Sequence, residues 1–161
     1  MDTAPIVTDD PVEFSRLLHE GGALLALDLG TKTVGVATCD PGWRFATAGS
    51  TIPRAKFAAA RAALQPVVDR KGIRGFVVGL PKNMDGREGP RAQASRAYAR
   101  NLFEAFERPV LLWDERWSTI SAQAAMIGQD MSRSKRAERI DSHAAAIILQ
   151  GAIDRLAGSA F

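Results

Sequence analysis

The chain has 161 residues, of which 46% are hydrophobic and 24% charged, and its formal net charge is +3. That length suits one domain, and no apolar run approaches the roughly 18 residues that a membrane span needs. The N-terminus has no basic, apolar, small-residue secretion signal, so the cytoplasm is the expected compartment.

The charge is unevenly spread. Residues 1–22 hold five acids and one base, a balance of −4, which leaves +7 on the remainder. A polyanionic partner is the natural expectation for such a surface. Cys39 is the single cysteine. It cannot form an internal disulfide, and its place in a β-branched run fits an inert core residue.

Residues 1–22 read as an N-terminal extension carrying a short helix, and 23–161 as the main domain. Met1 to Asp9 has no periodicity, and no regular structure is expected there. Asp10-Pro11-Val12-Glu13 is a helix start, with Asp10 as N-cap, Pro11 in the first turn and Glu13 placed to complete a capping box. Leu24 to Cys39 (LLALDLGTKTVGVATC) predicts two antiparallel strands joined by a tight turn, with Gly30 in a backbone conformation that other residues resist. Phe45 to Ile52 predicts a third strand closed by Pro53.

A helix follows over about Lys56 to Lys71, where Pro66 predicts a kink or an early end. Ile73 to Leu80 (IRGFVVGL) is a strand buried on both faces. A glycine-punctuated loop runs to Gly89, and Pro90 opens a helix to about Glu107. Pro109 to Trp113 is the last strand and leads directly into Asp114-Glu115-Arg116. Ser118 or Thr119 caps a short helix ending at Gly128, and a basic connection, Ser132 to Arg136, precedes a last helix over about Glu138 to Ala157. Three antiparallel strands extended by strand-helix-strand crossovers predict an α/β fold with a mixed five-stranded sheet and helices on both faces.

Asp28 is an acid inside an apolar strand, and burying it unpaired would cost roughly several kcal/mol. It is either a structural carboxylate bonded to the turn amides or a ligand for metal or phosphate. Glu115 lies just beyond the last strand. If the first and last strands lie near one another and point the same way, both acids reach one rim of the sheet. Asp141, placed in the first turn of the last helix, shares a face with Ala145, Ile148 and Ala152; it is either a cap or a third member of the group. Three converging carboxylates repel one another, and a divalent cation relieves that repulsion. Oxygen donors suit Mg²⁺ or Mn²⁺, and two such ions can serve phosphodiester chemistry. Zinc is disfavoured, because His19 and His143 are far apart in sequence and no thiolate accompanies them.

Four stretches, LALDLGTKTVGVA, VVGLPKNMDGREGPRA, DERWST and KRAERIDSHAAAIIL, resemble in order the motif blocks of the YqgF family, also called RuvX. The resemblance covers Leu24 to about Leu156. It implies the RNase H-like fold of Holliday-junction resolvases, with the first and last strands as neighbours. It also implies a nuclease that matures the 5′ end of pre-16S ribosomal RNA, with Asp28, Glu115 and Asp141 as the metal-binding catalytic acids. Relatives with this fold often carry an acid at the end of the fourth strand, where this chain has Gly79-Leu80-Pro81. The second acid must then come from Asp114 or Glu115; Glu115 is the expected one, with Glu138 as a distant further ligand.

The expected activity is divalent-metal-dependent hydrolysis of phosphodiester bonds in structured RNA, with two Mg²⁺ or Mn²⁺ ions. Lys32, Asn83, Arg87, Arg116, Arg133, Lys135, Arg136 and Arg139 are the expected phosphate contacts. The alternatives are a Holliday junction resolvase acting on branched DNA and a non-catalytic RNA-binding assembly factor. A two-lobed ATP-binding fold with a similar DxGT turn is excluded by length. The expected assembly is a monomer or weak homodimer with no membrane partner.

Overall fold

A computed structural model of the chain describes residues 7–18, 21–117 and 133–159, with side chains described in the last segment only for 143–158. The strands are β1 (Val7–Thr8), β2 (Ala23–Leu29), β3 (Thr33–Cys39), β4 (Ala46–Ala48), β5 (Ile52–Pro53), β6 (Ile73–Leu80) and β7 (Val110–Asp114). The helices are α1 (Pro11–Leu17), α2 (Phe57–Lys71), α3 (Pro90–Phe106) and α4 (Arg133–Ser159), with a single 3₁₀ turn at Glu115–Trp117. The sheet runs β1-β7-β6-β2-β3-β4, and β5 also pairs with β3. β2, β6, β7 and β1 are mutually parallel, and β3 is antiparallel to β2.

The five expected columns are therefore present, and the differences lie at the two edges. The expected third strand is divided into β4 and β5. Val34 pairs with Ile52 and Ala37 with Ala48, so one extra residue stands on the outer strand between these two pairs. That is a bulge, and Gly49 sits at it with its N–H 2.7 Å from the Val36 carbonyl oxygen. At the other edge, Val7–Thr8 pair with Val110 and Leu111 of β7. A two-residue pairing has no periodicity to read, so this part of the supposedly irregular N-terminus is ordered by its neighbour and not by its own pattern.

One expectation is overturned outright. The first long strand, β2, and the last, β7, are not neighbours, because β6 lies between them. All three point the same way, so their C-terminal ends still share one rim. Gly30 is also not in the left-handed region, which among the glycines is taken by Gly21, Gly22, Gly72 and Gly86. The β2–β3 turn is closed instead by the Gly30 N–H on the Thr33 carbonyl at 2.9 Å.

Side chains alternate along each buried strand, and two cores result. On one face Leu25, Leu27, Leu29, Phe76, Val78 and Leu112 pack under α2 and α3. On the other, Leu24, Ala26, Val77, Leu111 and Trp113 pack under α1 and α4. Helix α2 runs through Pro66 to Lys71 without an early end, and Gly72, left-handed at φ 60°, terminates it. The helical stripe Ala60, Leu64 and Val68 is buried.

Helix α1 starts as its sequence predicts, with the Asp10 carboxylate accepting from the Val12 N–H at 3.0 Å. The reciprocal half of the capping box is replaced by a relay. The Asp10 N–H donates to the Thr8 hydroxyl, which donates to Glu13. Phe14 is fully buried and Leu18 nearly so. Both press on Gly75 of β6, where a Cβ would lie 2.9 Å from Leu18 Cδ1 and 3.0 Å from Phe14 Cζ. Phe14→Ala should therefore cost about 3–5 kcal/mol of unfolding free energy in a urea titration; a loss below about 1 kcal/mol would contradict a core role for α1.

Candidate active site

The shared rim collects the ends of β2, β6 and β7, the β2–β3 turn, the β6–α3 loop, the start of α3 and the 3₁₀ turn. Asp28 lies between Leu27 and Leu29, which face the α3 core, so strand alternation turns Asp28 to the α4 face. Gly35 is its partner across β3. On β6 the pairing of Leu27 with Val78 brings Gly79 next in line beside Asp28.

Gly79 is where Glu115 arrives. A Cβ on Gly79 would lie 3.2 Å from Glu115 Oε2 and 2.8 Å from Ile148 Cδ1 of α4. The Glu115 carboxylate thus occupies the space that a side chain on β6 would fill. It reaches from the end of β7 across β6 towards Asp28. Burial and then the neighbouring Asp28 charge push its carboxyl up to about 7, against the opposing pull of Arg91.

Asp114 takes a different course. It ends β7 opposite Leu80, which faces the α3 core. Its side chain is only 3% exposed and receives the Arg116 guanidinium, with Nη2 at 2.6 Å and Nε at 3.0 Å, as well as the Arg116 N–H at 2.9 Å. Those bonds hold its carboxyl below the usual carboxylate range. Of the two acids that the DER segment offers, Glu115 is the one lying over β6 beside Asp28, and Asp114 is the anchor of Arg116.

Asp141 is helical and stands about two turns into α4, not in its first turn. Ala145, Ile148 and Ala152, spaced along the helix after it, are fully buried against the sheet. Its own side chain lies outside the described residues. The same holds for Arg133, Lys135, Arg136, Glu138 and Arg139; all five belong to α4, the last two as expected and the first three in place of a connection before it. The expected short helix ending at Gly128 also lies outside the described residues. Among the described residues no three His, Cys, Asp or Glu side chains are grouped to hold a metal ion.

The remaining predicted contacts lie on the connections at this rim. Lys32 is exposed at the β2–β3 turn. Asn83 and Arg87 are exposed in the β6–α3 loop, which is pinned by the Asn83 N–H on the Arg87 carbonyl at 2.8 Å and by the Arg87 N–H on Asp85 at 2.9 Å. Arg116 is partly committed to Asp114, and its Nη1 points to Gly86 of the same loop.

Three bases escaped sequence reasoning. Arg91, in the first turn of α3, is the cation that acts on Glu115. Lys82 draws down both Asp114 and Glu88. Arg54, just past β5, donates to the Gly30 carbonyl at 2.6 Å. A base beside Pro90 in the motif block was the only sequence signal for Arg91, and Arg54 had none.

Among solved structures, T. thermophilus RuvC in complex with a Holliday junction substrate aligns with a TM-score of 0.54 at 15% identity, covering 86% of this chain and 97% of that one. The arrangement is thus the RNase H-like fold of resolvases. The sequence also matches the family described as RuvX, Holliday junction resolvase, over residues 22–155. The chain belongs to the RuvX family. It is 62% identical over 156 residues, 97% of this chain and 100% of the relative, to a Novosphingobium aromaticivorans protein named "Putative pre-16S rRNA nuclease". A Sphingopyxis alaskensis protein of the same name is 55% identical over 151 residues, 94% of this chain and 99% of the relative.

The raised Glu115 pKa makes a stability prediction. In chelator-treated protein the folded state holds a proton up to about 7, whereas the ordinary carboxyl value is 4.5. The folded state therefore binds more protons between these values, so the stability this group contributes is greatest below 4.5 and is lost as pH rises through about 7. The expected loss is on the order of 3 kcal/mol in urea unfolding, and Glu115→Gln should flatten it. Asp114 acts oppositely and only at lower pH, where its protonation removes stability. An unchanged pH profile in Glu115→Gln would contradict the burial of Glu115 beside Asp28.

Proposed function

We propose that this chain is a divalent-metal-dependent nuclease that cleaves structured RNA, processing the 5′ end of pre-16S ribosomal RNA. The observation that carries the reading is the Glu115 carboxylate lying over Gly79 beside Asp28, on a rim edged by Lys32, Lys82, Arg87, Arg91 and Arg116. Two carboxylates sharing a half-buried site is a costly arrangement unless a cation completes it. The names borne by the Novosphingobium and Sphingopyxis relatives, which align over nearly their whole length, support the substrate.

The donor set fits Mg²⁺ or Mn²⁺, because carboxylates supply hard oxygen ligands. Asp28 and Glu115, joined by Asp141 from α4, are the proposed ligands. When bound, such ions polarise the phosphate and lower the pKa of an attacking water. Glu115 must surrender its proton to serve as a ligand, so cation affinity should rise as pH passes about 7. Lys32, Asn83, Arg87 and Arg116 engage backbone phosphates, together with the bases at the start of α4. Arg116 is held in orientation by Asp114, so it meets a phosphate with its fork already fixed.

A second reading, resolution of four-way DNA junctions, is favoured by the family description and by the fold shared with RuvC. It requires a two-fold assembly that presents two such sites. Incubation with precursor ribosomal RNA and with four-way junctions, each with and without Mg²⁺ or Mn²⁺, separates the two. The expected result is cation-dependent cleavage of the RNA, reduced on the order of 100-fold or more by Asp28→Asn, Glu115→Gln or Asp141→Asn. Symmetric cutting of junctions with intact RNA would favour the second reading, and full activity in Asp28→Asn would overturn both.

A further inference from the structure

On the opposite side of the strand tips from the two carboxylates, a cleft of about 180 Å³ opens on the same rim. Its walls are Leu29, Pro81 and Ala94, and two exposed arginines border it, Arg54 just past β5 and Arg91 from α3. Ser95, only 2% exposed, also contributes to the lining.

We propose that this cleft is a phosphate subsite, which takes a backbone phosphate flanking the scissile bond. The proposal rests on the nuclease reading above for its place in the reaction, and on the cleft itself for its chemistry.

Two positive side chains from separate elements converge on a partly apolar cleft. Among the described residues neither has a carboxylate within ion-pair distance. Two such groups beside one cleft raise its positive potential and favour an anion there. Arg54 is preorganised for that role. Its backbone N–H donates to the Lys32 carbonyl at 2.9 Å and its Nη1 to the Gly30 carbonyl at 2.6 Å, which commits one of five guanidinium donors. Arg91 stands in the first turn of a 17-residue helix whose N-cap, Gly89, supplies no side-chain hydrogen bond, so the helix dipole adds positive potential there.

About two turns along α3 from Arg91 stands Tyr98, which does not itself line the cleft. Tyr98 is 8% exposed, packs edge-on to Phe57, and feels the charge of Arg54. Its hydroxyl is buried with no hydrogen-bond partner among the described residues. An orphaned donor of this kind calls for a bound water nearby.

The placement relative to the acids is direct. Leu29 follows Asp28 in β2, Pro81 lies two residues after Gly79, and the charge of Arg91 reaches Glu115. A strand crossing the tips can therefore set one phosphate by the carboxylates and a flanking one between Arg54 and Arg91.

The test uses the full chain in chelator, with uridine 5′-monophosphate, the dinucleotide UpU without terminal phosphates, and uridine as probes. The arginine Nε–Hε signals are followed by NMR and assigned by their loss in Arg54→Gln and Arg91→Gln. Saturable shifts of both signals with UpU and uridine 5′-monophosphate, and none with uridine, are expected. Shifts with the monophosphate alone would overturn a backbone phosphate as its occupant. Absence of shifts with both phosphate probes would overturn it. In anisotropy measurements with single-stranded RNA, each variant should weaken binding about tenfold and lower the salt slope by about one, while Arg100→Gln on the exposed side of α3 should not. Wild-type protein that shifts with the phosphates yet cleaves no RNA would refute the nuclease reading and leave the subsite standing. Cleavage without shifts would do the reverse.

Discussion

The missing side chain at Gly79 governs the rim. β6 separates β2 from β7, so an acid at the end of β7 can approach Asp28 only by passing over β6. Any Cβ at position 79 would press within 3.2 Å of the Glu115 carboxylate and 2.8 Å of Ile148. With glycine there, Glu115 folds across the gap and is half buried under α4. The consequence is electrostatic: a carboxylate withdrawn from water beside another carboxylate holds its proton up to about 7. The site thus stores repulsion that a cation can relieve, and the space a side chain at position 79 would take is filled from a neighbouring strand.

The two acids of the DER segment divide their work because adjacent residues face opposite ways. Asp114 turns to the α3 side and becomes a buried anchor for Arg116; Glu115 turns to the α4 side and meets Asp28. A charged pair at 2.6 Å with the acid almost wholly enclosed orients the guanidinium at little further entropic cost. Around these acids the loop after β6, the β2–β3 turn and the first turn of α3 bring bases from distant parts of the sequence. Each strand end contributes a connection, and the connections meet only because β2, β6 and β7 are parallel.

Much of this was legible in the sequence where local pattern decides. The unbroken apolar run Ile73 to Leu80, the Pro90 helix start, the Asp10 cap and the spacing of Ala60, Leu64 and Val68 all carry their structure within a few residues. The order of the strands is not local. Adjacency of β2 and β7 was expected, and the crossover through α2 and α3 placed β6 between them. Alternation could separate Asp114 from Glu115 only once the strand was known to run through Asp114. Arg54 and Arg91 were missed for the same reason: each is an ordinary base in sequence, and only the fold puts them in one cleft. The start of α4 at Arg133 extends the helix back over the basic cluster, which the charge pattern alone read as a connection.

The central claim is that Asp28 and Glu115 together hold a divalent cation on the α4 side of the strand tips. Crystals grown with Mn²⁺ near pH 8 and examined by anomalous scattering test it most directly. The account predicts manganese within about 2 Å of carboxylate oxygens of both Asp28 and Glu115, lost in Glu115→Gln. Manganese bound elsewhere, with these two carboxylates uncoordinated, would contradict it.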